Sequence, residues 1–150
     1  MKSCACRRRA PTAAPTRSNR MNMATQSAAR GDDETIEQEI QRKGKTAPRV
    51  SPGHIESVIV SEHYFTAHDG ALGSWPGFGE QPDTPYALSL LTFCVIVLRN
   101  GFTVTGESAC ISAENFDAEI GRKIARQNAV QKIWALEGYL LKTRLHEAEN

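Results

Sequence analysis

Hydrophobic and polar positions change rhythm several times along this chain, and each change predicts a different element. Residues 88–99, LSLLTFCVIVLR, are apolar at nearly every position, as a strand buried on both faces must be. Residues 102–109, FTVTGESA, alternate instead: Val104 sits among Thr103, Thr105 and Glu107, which predicts a strand bordering water or a ligand. Asn100-Gly101 between the two runs signals a hairpin, because a type I′ turn needs positive φ at both central residues. With these two residues as the loop, Arg99 faces Phe102 and paired residue numbers sum to 201. Thr92, Cys94, Ile96 and Leu98 then share a face with Thr103, Thr105, Glu107 and Ala109. Leu91, Phe93, Val95 and Val97 take the other, with Val104, Gly106, Ser108 and Cys110.

Helical spacing dominates on either side of the hairpin. Asp32-Asp33-Glu34 opens a short helix with Ile36 and Ile40 one turn apart, and Gly44 stops it. Ser51-Pro52 supplies an N-cap and a first-turn proline for a second helix over about 52–60, carrying Ile55, Val58 and Ile59 on one side. SEHYFTA, residues 61–67, predicts a strand that Asp69-Gly70 ends. Residues 70–87 hold four Gly and three Pro and predict a long loop, a lid candidate. Ser112 is the expected N-cap of a long helix reaching residue 136 or beyond. Phe116, Ile120 and Ile124 mark one flank and Ala125, Ala129 and Ile133 a second; Gly138 is an expected end or kink, and residues 146–150 should fray. The pattern predicts an α+β fold: a small antiparallel sheet built on a β-hairpin, packed against one long C-terminal helix, with short N-terminal helices in a single domain over 32–145.

Charge divides the 150 residues in two. Seven of the 18 basic residues fall within residues 1–30, where there is no acid, leaving eleven against all 17 acids, net −6, for the rest. Residues 1–31, rich in Arg, Ala, Ser, Thr and Pro, cannot bury enough surface to offset ordering entropy, so a disordered basic tail is expected. Met21 and Met23 are alternative starts, and Pro11 and Pro15 break any presequence helix. The acidic body argues against coating a phosphate backbone, which leaves a nucleic-acid accessory role to the tail alone. No run of about 18 apolar residues occurs, so no membrane helix is expected. Cys4-x-Cys6 lacks the two further ligands of a structural zinc site, and Cys94 and Cys110, on opposite faces in the register above, cannot bridge.

Catalytic patterns do not emerge. His54, His63 and His68 with Glu62 and Asp69 match no helical metal spacing, and no nucleophile-elbow, Walker or dinucleotide glycine motif is present, so neither enzyme activity, metal nor cofactor is expected. What remains is a polar rim: Thr105, Glu107 and Ser108 on the second strand, Asn115 at the helix start, and Arg122, Lys123 and Arg126 along the helix. Helix-start amides near Asn115 would suit an anion; alternatively Asn115 only helps cap the helix and the three cations form a solvated face.

LTFCVIVLRNGFTVTGESACISAENFDAEIGRKIARQNAVQKIWALEGYLL resembles the signature of the Gp49-like family of small tailed-phage proteins, with N-G-F, G-E-S-A-C, E-N-F and K-I-W-x-L-E-G-Y-L-L as its specific parts, over roughly residues 46–141. The chain is also similar to the Thoeris anti-defence sponge proteins, oligomers of dimers that hold glycocyclic ADP-ribose or cyclic oligonucleotide immune signals without cleaving them. That second resemblance implies a small anionic nucleotide as ligand, a homo-oligomer (dimer or hexamer), and a place in the cytoplasm of the bacterial host. It implies direct contact by Asn115 and Phe116, Thr105 as the neighbouring strand position, phosphate contacts from Arg122, Lys123 and Arg126, and core or oligomer roles for Trp134 and Tyr139. A small interaction protein, binding a host or phage protein through the 70–87 loop and the tail, is the alternative.

Overall fold

The computed structural model describes residues 32–150; the basic segment before them, with its expected disorder, its Cys4-x-Cys6 pair and its alternative starts, lies outside the described residues. Helix α1 (Asp32–Arg42) begins at the acid cluster, and just after it Gly44 adopts φ 63°, a conformation that glycine enters without strain. In α2 (Pro52–Val58) the Ser51 hydroxyl accepts from the His54 amide at 3.2 Å, and Pro52 presets the first turn. α2 runs directly into β1 (Ile59–Thr66). Thr66 and Asp69 then cap each other's backbone amides and start α3 (Ala67–Gly73), so the stretch expected as loop from residue 70 is helical up to Gly73. A 3₁₀ turn (Tyr86–Leu90) delivers β2 (Leu91–Leu98); β3 (Thr103–Ala109), a second 3₁₀ turn (Ala113–Asn115) and α4 (Ala118–Ala148) complete the chain. The three strands form an antiparallel sheet in the order β1-β2-β3, and α4 lies across β2 and β3. The α+β architecture is the expected one.

The hairpin register is not. The Leu98 amide donates to Phe102 O and the Gly101 amide to Leu98 O, both at 2.8 Å, with Gly101 at φ 83°. The loop therefore holds three residues, Arg99 to Gly101, closed by a left-handed glycine. Cys94 stands opposite Gly106 and Ile96 opposite Val104. This is a slip of one residue from the expected pairing, and it moves every β3 side chain to the other face. Val104, Gly106 and Ser108 join Thr92, Cys94, Ile96 and Leu98 beneath α4, while Thr103, Thr105 and Glu107 turn away from it. The observed register is the one that buries Val104, 5% exposed, within the core. Cys94 and Cys110 thereby fall on the same side rather than opposite sides, four residues apart along the strand pair, and both are free thiols.

Helix α4 also starts later than Ser112. Phe116 is extended (φ −71°, ψ 123°), and the Asp117 carboxylate accepts from the Ile120 amide at 2.9 Å as the N-cap. Of the two expected apolar flanks, Ala125, Ala129 and Ile133 are completely buried, whereas Ile120 and Ile124 remain 56% and 41% exposed. Gly138 does not end the helix, which continues to Ala148. Small residues let α4 sit directly on the sheet: a Cβ added to Gly106 would lie 2.1 Å from Ala125 O and 2.3 Å from Ala129 N. One turn apart on α4, Asn128 Nδ2 donates to Glu107 O and Lys132 Nζ to Thr105 O, each at 2.7 Å. Those carbonyls belong to an edge strand, whose unpaired groups would otherwise invite a further strand.

Candidate functional site

Between β3 and α4 the chain turns a tight corner. Ser112 O accepts from Cys110 Sγ at 3.1 Å and from the Asn115 amide at 3.3 Å, and the Phe116 amide donates to Ala113 O at 3.1 Å. These local bonds set Phe116 between two small clefts. The first, about 110 Å³, is bounded by Ser108, Cys110, Asn115 and Phe116 with the exposed faces of Ile120 and Ile124. The second, about 70 Å³, lies among Tyr64, Thr66, Asp69, Phe116 and Arg122. Phe116 and Thr92, which is 4% exposed, form the wall between them. Gly121 keeps that wall in place, since a Cβ there would meet Thr92 Oγ1 at 3.0 Å.

The electrostatics of the corner turn on two groups. Asp69 is occupied: backbone and side-chain hydrogen bonds with Thr66 hold its carboxyl below the usual range, and its Oδ2 accepts from the Thr66 amide at 2.9 Å. Arg122 makes no ion pair among the described residues and faces the second cleft. An arginine beside a phenyl ring and hydroxyl groups can take a phosphate oxygen or stack on a base. Space limits what enters, because drug-sized ligands occupy about 300–1,000 Å³, and each cleft alone admits only a phosphate or one edge of a ring.

The corner gathers Ser108, Asn115 and Arg122, three of the seven expected rim residues, around Phe116, the contact that the resemblance implies, and disperses the other four. Thr105 and Glu107 lie on the far face of the sheet, a consequence of the register. Lys123 is exposed and lines neither cleft. Asn115 belongs to the 3₁₀ turn, so it does not stand among the first amides of α4. Arg126 is committed elsewhere: its Nε donates to Glu62 Oε1 at 2.9 Å and its Nη2 to Glu56 Oε2 at 2.8 Å.

Glu62 also accepts from the Tyr64 hydroxyl at 2.5 Å, and these four side chains tie α2 and β1 to α4. Burial opposes ionisation of Glu62, but hydrogen bonds from Arg126 and Tyr64 and the Arg126 charge prevail and hold the carboxyl below its ordinary value. Burial, then the hydrogen bond to Glu62, pushes the Tyr64 phenol well above its usual range. The partners are 64 and 70 residues apart, and no local spacing announces them. Nearby, burial raises the Cys94 thiol, the reverse of what a nucleophile needs.

A larger groove of about 290 Å³ runs between α1, α2 and α4, lined by Ile36, Ile40, Val50 and Trp134 together with Asp33 and Glu37. Arg49 is already paired with Glu37 there, so the groove presents no free cation to an anion. Among the described residues no group of His, Cys, Asp and Glu is gathered closely enough to hold a metal ion, and no helix is long and apolar enough to cross a membrane. Residues 50–145 match the phage protein (N4 Gp49/phage Sf6 gene 66) family. No curated protein and no solved structure gives a significant match.

Proposed function

We propose that this chain, which belongs to the phage protein (N4 Gp49/phage Sf6 gene 66) family, binds and sequesters a small anionic nucleotide signal without cleaving it, with the Phe116 corner as the point of attachment. The observation that carries this reading is the pairing of an aromatic wall with an uncommitted arginine: Phe116 separates two clefts, and Arg122 opens into one of them. A rotation of Phe116 would join the two spaces. A phosphate could then meet Arg122 while a base edge meets Asn115 and Ser108. The likeness to sponge proteins that hold cyclic nucleotide immune signals supports the same reading, and countering bacterial defence would be its purpose. Arg126 has no part in it, because Glu56 and Glu62 already neutralise its charge.

Calorimetry of the full chain with glycocyclic ADP-ribose and with cyclic di- and trinucleotides tests the proposal. Binding of at least one ligand is expected, with recovery of the ligand intact after denaturation. A hydrogen bond to a charged group contributes about 1.5–3 kcal/mol, so Arg122→Ala should weaken affinity about tenfold or more. Phe116→Ala should weaken it too, and Lys123→Ala much less. Absence of heat with every one of these ligands would refute the assignment.

A further inference from the structure

The groove of about 290 Å³ between α1, α2 and α4 takes no part in the Phe116 corner, and its walls come from two sources. Val50, Pro52, Gln131 and Trp134 lie within the residues matched to the family, whereas Asp33, Ile36, Glu37 and Ile40 belong to α1, which precedes them. Ile36 and Ile40 recur one turn apart, so α1 turns an apolar stripe toward the groove, and Ile36 is still 47% exposed there. The half-buried Trp134 faces that stripe from α4. Two acids border the apolar floor, and they differ. Glu37 is taken: it accepts from Gln41 Nε2 at 2.8 Å and pairs with Arg49, and these bonds hold its carboxyl below the usual range. Asp33, also half-buried, makes no ion pair among the described residues. From α4, Gln131 adds an exposed side-chain amide to the same groove.

We infer that this groove is a binding site for a small organic cation, a primary amine carried on an aromatic or branched aliphatic body. Small-molecule sites start at about 300 Å³ and combine an apolar cleft with a few convergent polar groups, which is the arrangement here. The sign of the charge follows from the walls. An anion would meet Asp33 and Glu37 with no free cation to receive it, and a neutral apolar molecule would desolvate the Asp33 carboxylate without giving it a partner. An ammonium group satisfies both needs. It can donate to the Asp33 carboxylate and to Gln131 Oε1, the Trp134 ring attracts its charge, and Ile36, Ile40 and Val50 take its apolar body. A cleft of this size suits a free amine rather than a protein, since a stable protein interface takes about 800 Å² from each partner. The inference is independent of the nucleotide reading, because no residue of this groove lines either cleft at the Phe116 corner.

Fluorescence titration is the test, in the full chain carrying Trp75→Phe, which leaves Trp134 as its one tryptophan. The probes are phenethylamine, hydrocinnamate and phenethyl alcohol, which share a body and differ in charge. A saturable change in Trp134 emission is expected with the amine, at a dissociation constant of about 1 mM or lower. Calorimetry of the parent chain should return the same constant, and the acid and the alcohol should bind about tenfold more weakly or worse. Asp33→Asn should weaken amine binding about tenfold. Gln131→Glu sets a second carboxylate at an exposed helical position and should tighten it about threefold. Absence of a saturable response to the amine overturns the inference, as does equal binding of the three probes or indifference to Asp33→Asn. Tighter binding of the capped dipeptide acetyl-Leu-Lys-amide than of phenethylamine assigns the groove to a protein partner and overturns the free-amine reading.

Discussion

Gly106→Ala is the smallest change that should do the most damage to this fold. The added methyl would lie 2.1 Å from Ala125 O, 2.3 Å from Ala129 N and 3.0 Å from Ala129 Cα, all backbone atoms of α4. Ordinary contacts at those atoms begin near 3.5 Å, so the helix must lift by about 1 Å or the strand must bend. Neither a rotamer change nor trimming of a neighbouring side chain relieves a clash with main chain. Overpacking typically costs about 1–3 kcal/mol and sometimes more. With backbone on both sides of the contact, a loss of about 3 kcal/mol or more is expected. For a domain of this size each kcal/mol moves the melting temperature by about 4 °C, so the midpoint should fall by about 12 °C, read by circular dichroism and checked by urea denaturation. Gly138→Ala is the internal control. It lies within the same helix with nothing within 4 Å of its would-be Cβ, and it should stabilise the protein by about 0.5–1 kcal/mol. If Gly106→Ala melts with the parent, the direct seating of α4 on β3 is wrong.

Three further outcomes follow from features already described. The depressed carboxyl of Glu62 means that its contribution is present above its unfolded value of about 4.3 and is lost as pH falls through the lower folded value; Glu62→Gln should flatten the acid limb of a melting-temperature profile. The raised phenol of Tyr64 works in the opposite direction: its contribution is present below about pH 10 and is lost above it, so Tyr64→Phe should remove an alkaline limb. The double change Asn128→Ala with Lys132→Ala exposes the β3 carbonyls, and light scattering on warming should show aggregation that the parent lacks, with faster amide exchange along β3.

Much of the architecture could be read from short stretches, because its causes are local. Ser51-Pro52 starts α2 through a hydroxyl and a ring within one turn of chain, and the alternation around Val104 marks an edge strand wherever that strand is placed. The register was not legible, because Asn100-Gly101 suits a two-residue loop and a three-residue loop alike. What separates them is which β3 residues meet α4, a contact made some twenty residues downstream. The same holds for the helix start. Ser112 and Asp117 are both good caps, and the extended Phe116 that enters the corner settles the choice in favour of Asp117. The site was half legible. Ser108, Asn115, Phe116 and Arg122 converge because they flank one turn of chain, whereas Thr105 and Glu107 were misplaced by the register and Arg126 by carboxylates far away in sequence.

The network around Arg126 also sets a clock on synthesis. Glu62 leaves the ribosome 64 residues before the arginine that pairs with it, an interval of about 3–13 s at ordinary elongation rates of about 5–20 residues per second. Throughout that interval α2 and β1 hold two carboxylates with no cation from α4 to face them, and β1 has no β2 to pair with until residue 91 and beyond has been made. The N-terminal half of the domain therefore cannot lock into place as it emerges. Completion of the fold waits for the last helix, so a chain truncated before Arg126 should remain open to proteolysis however long it is left to fold.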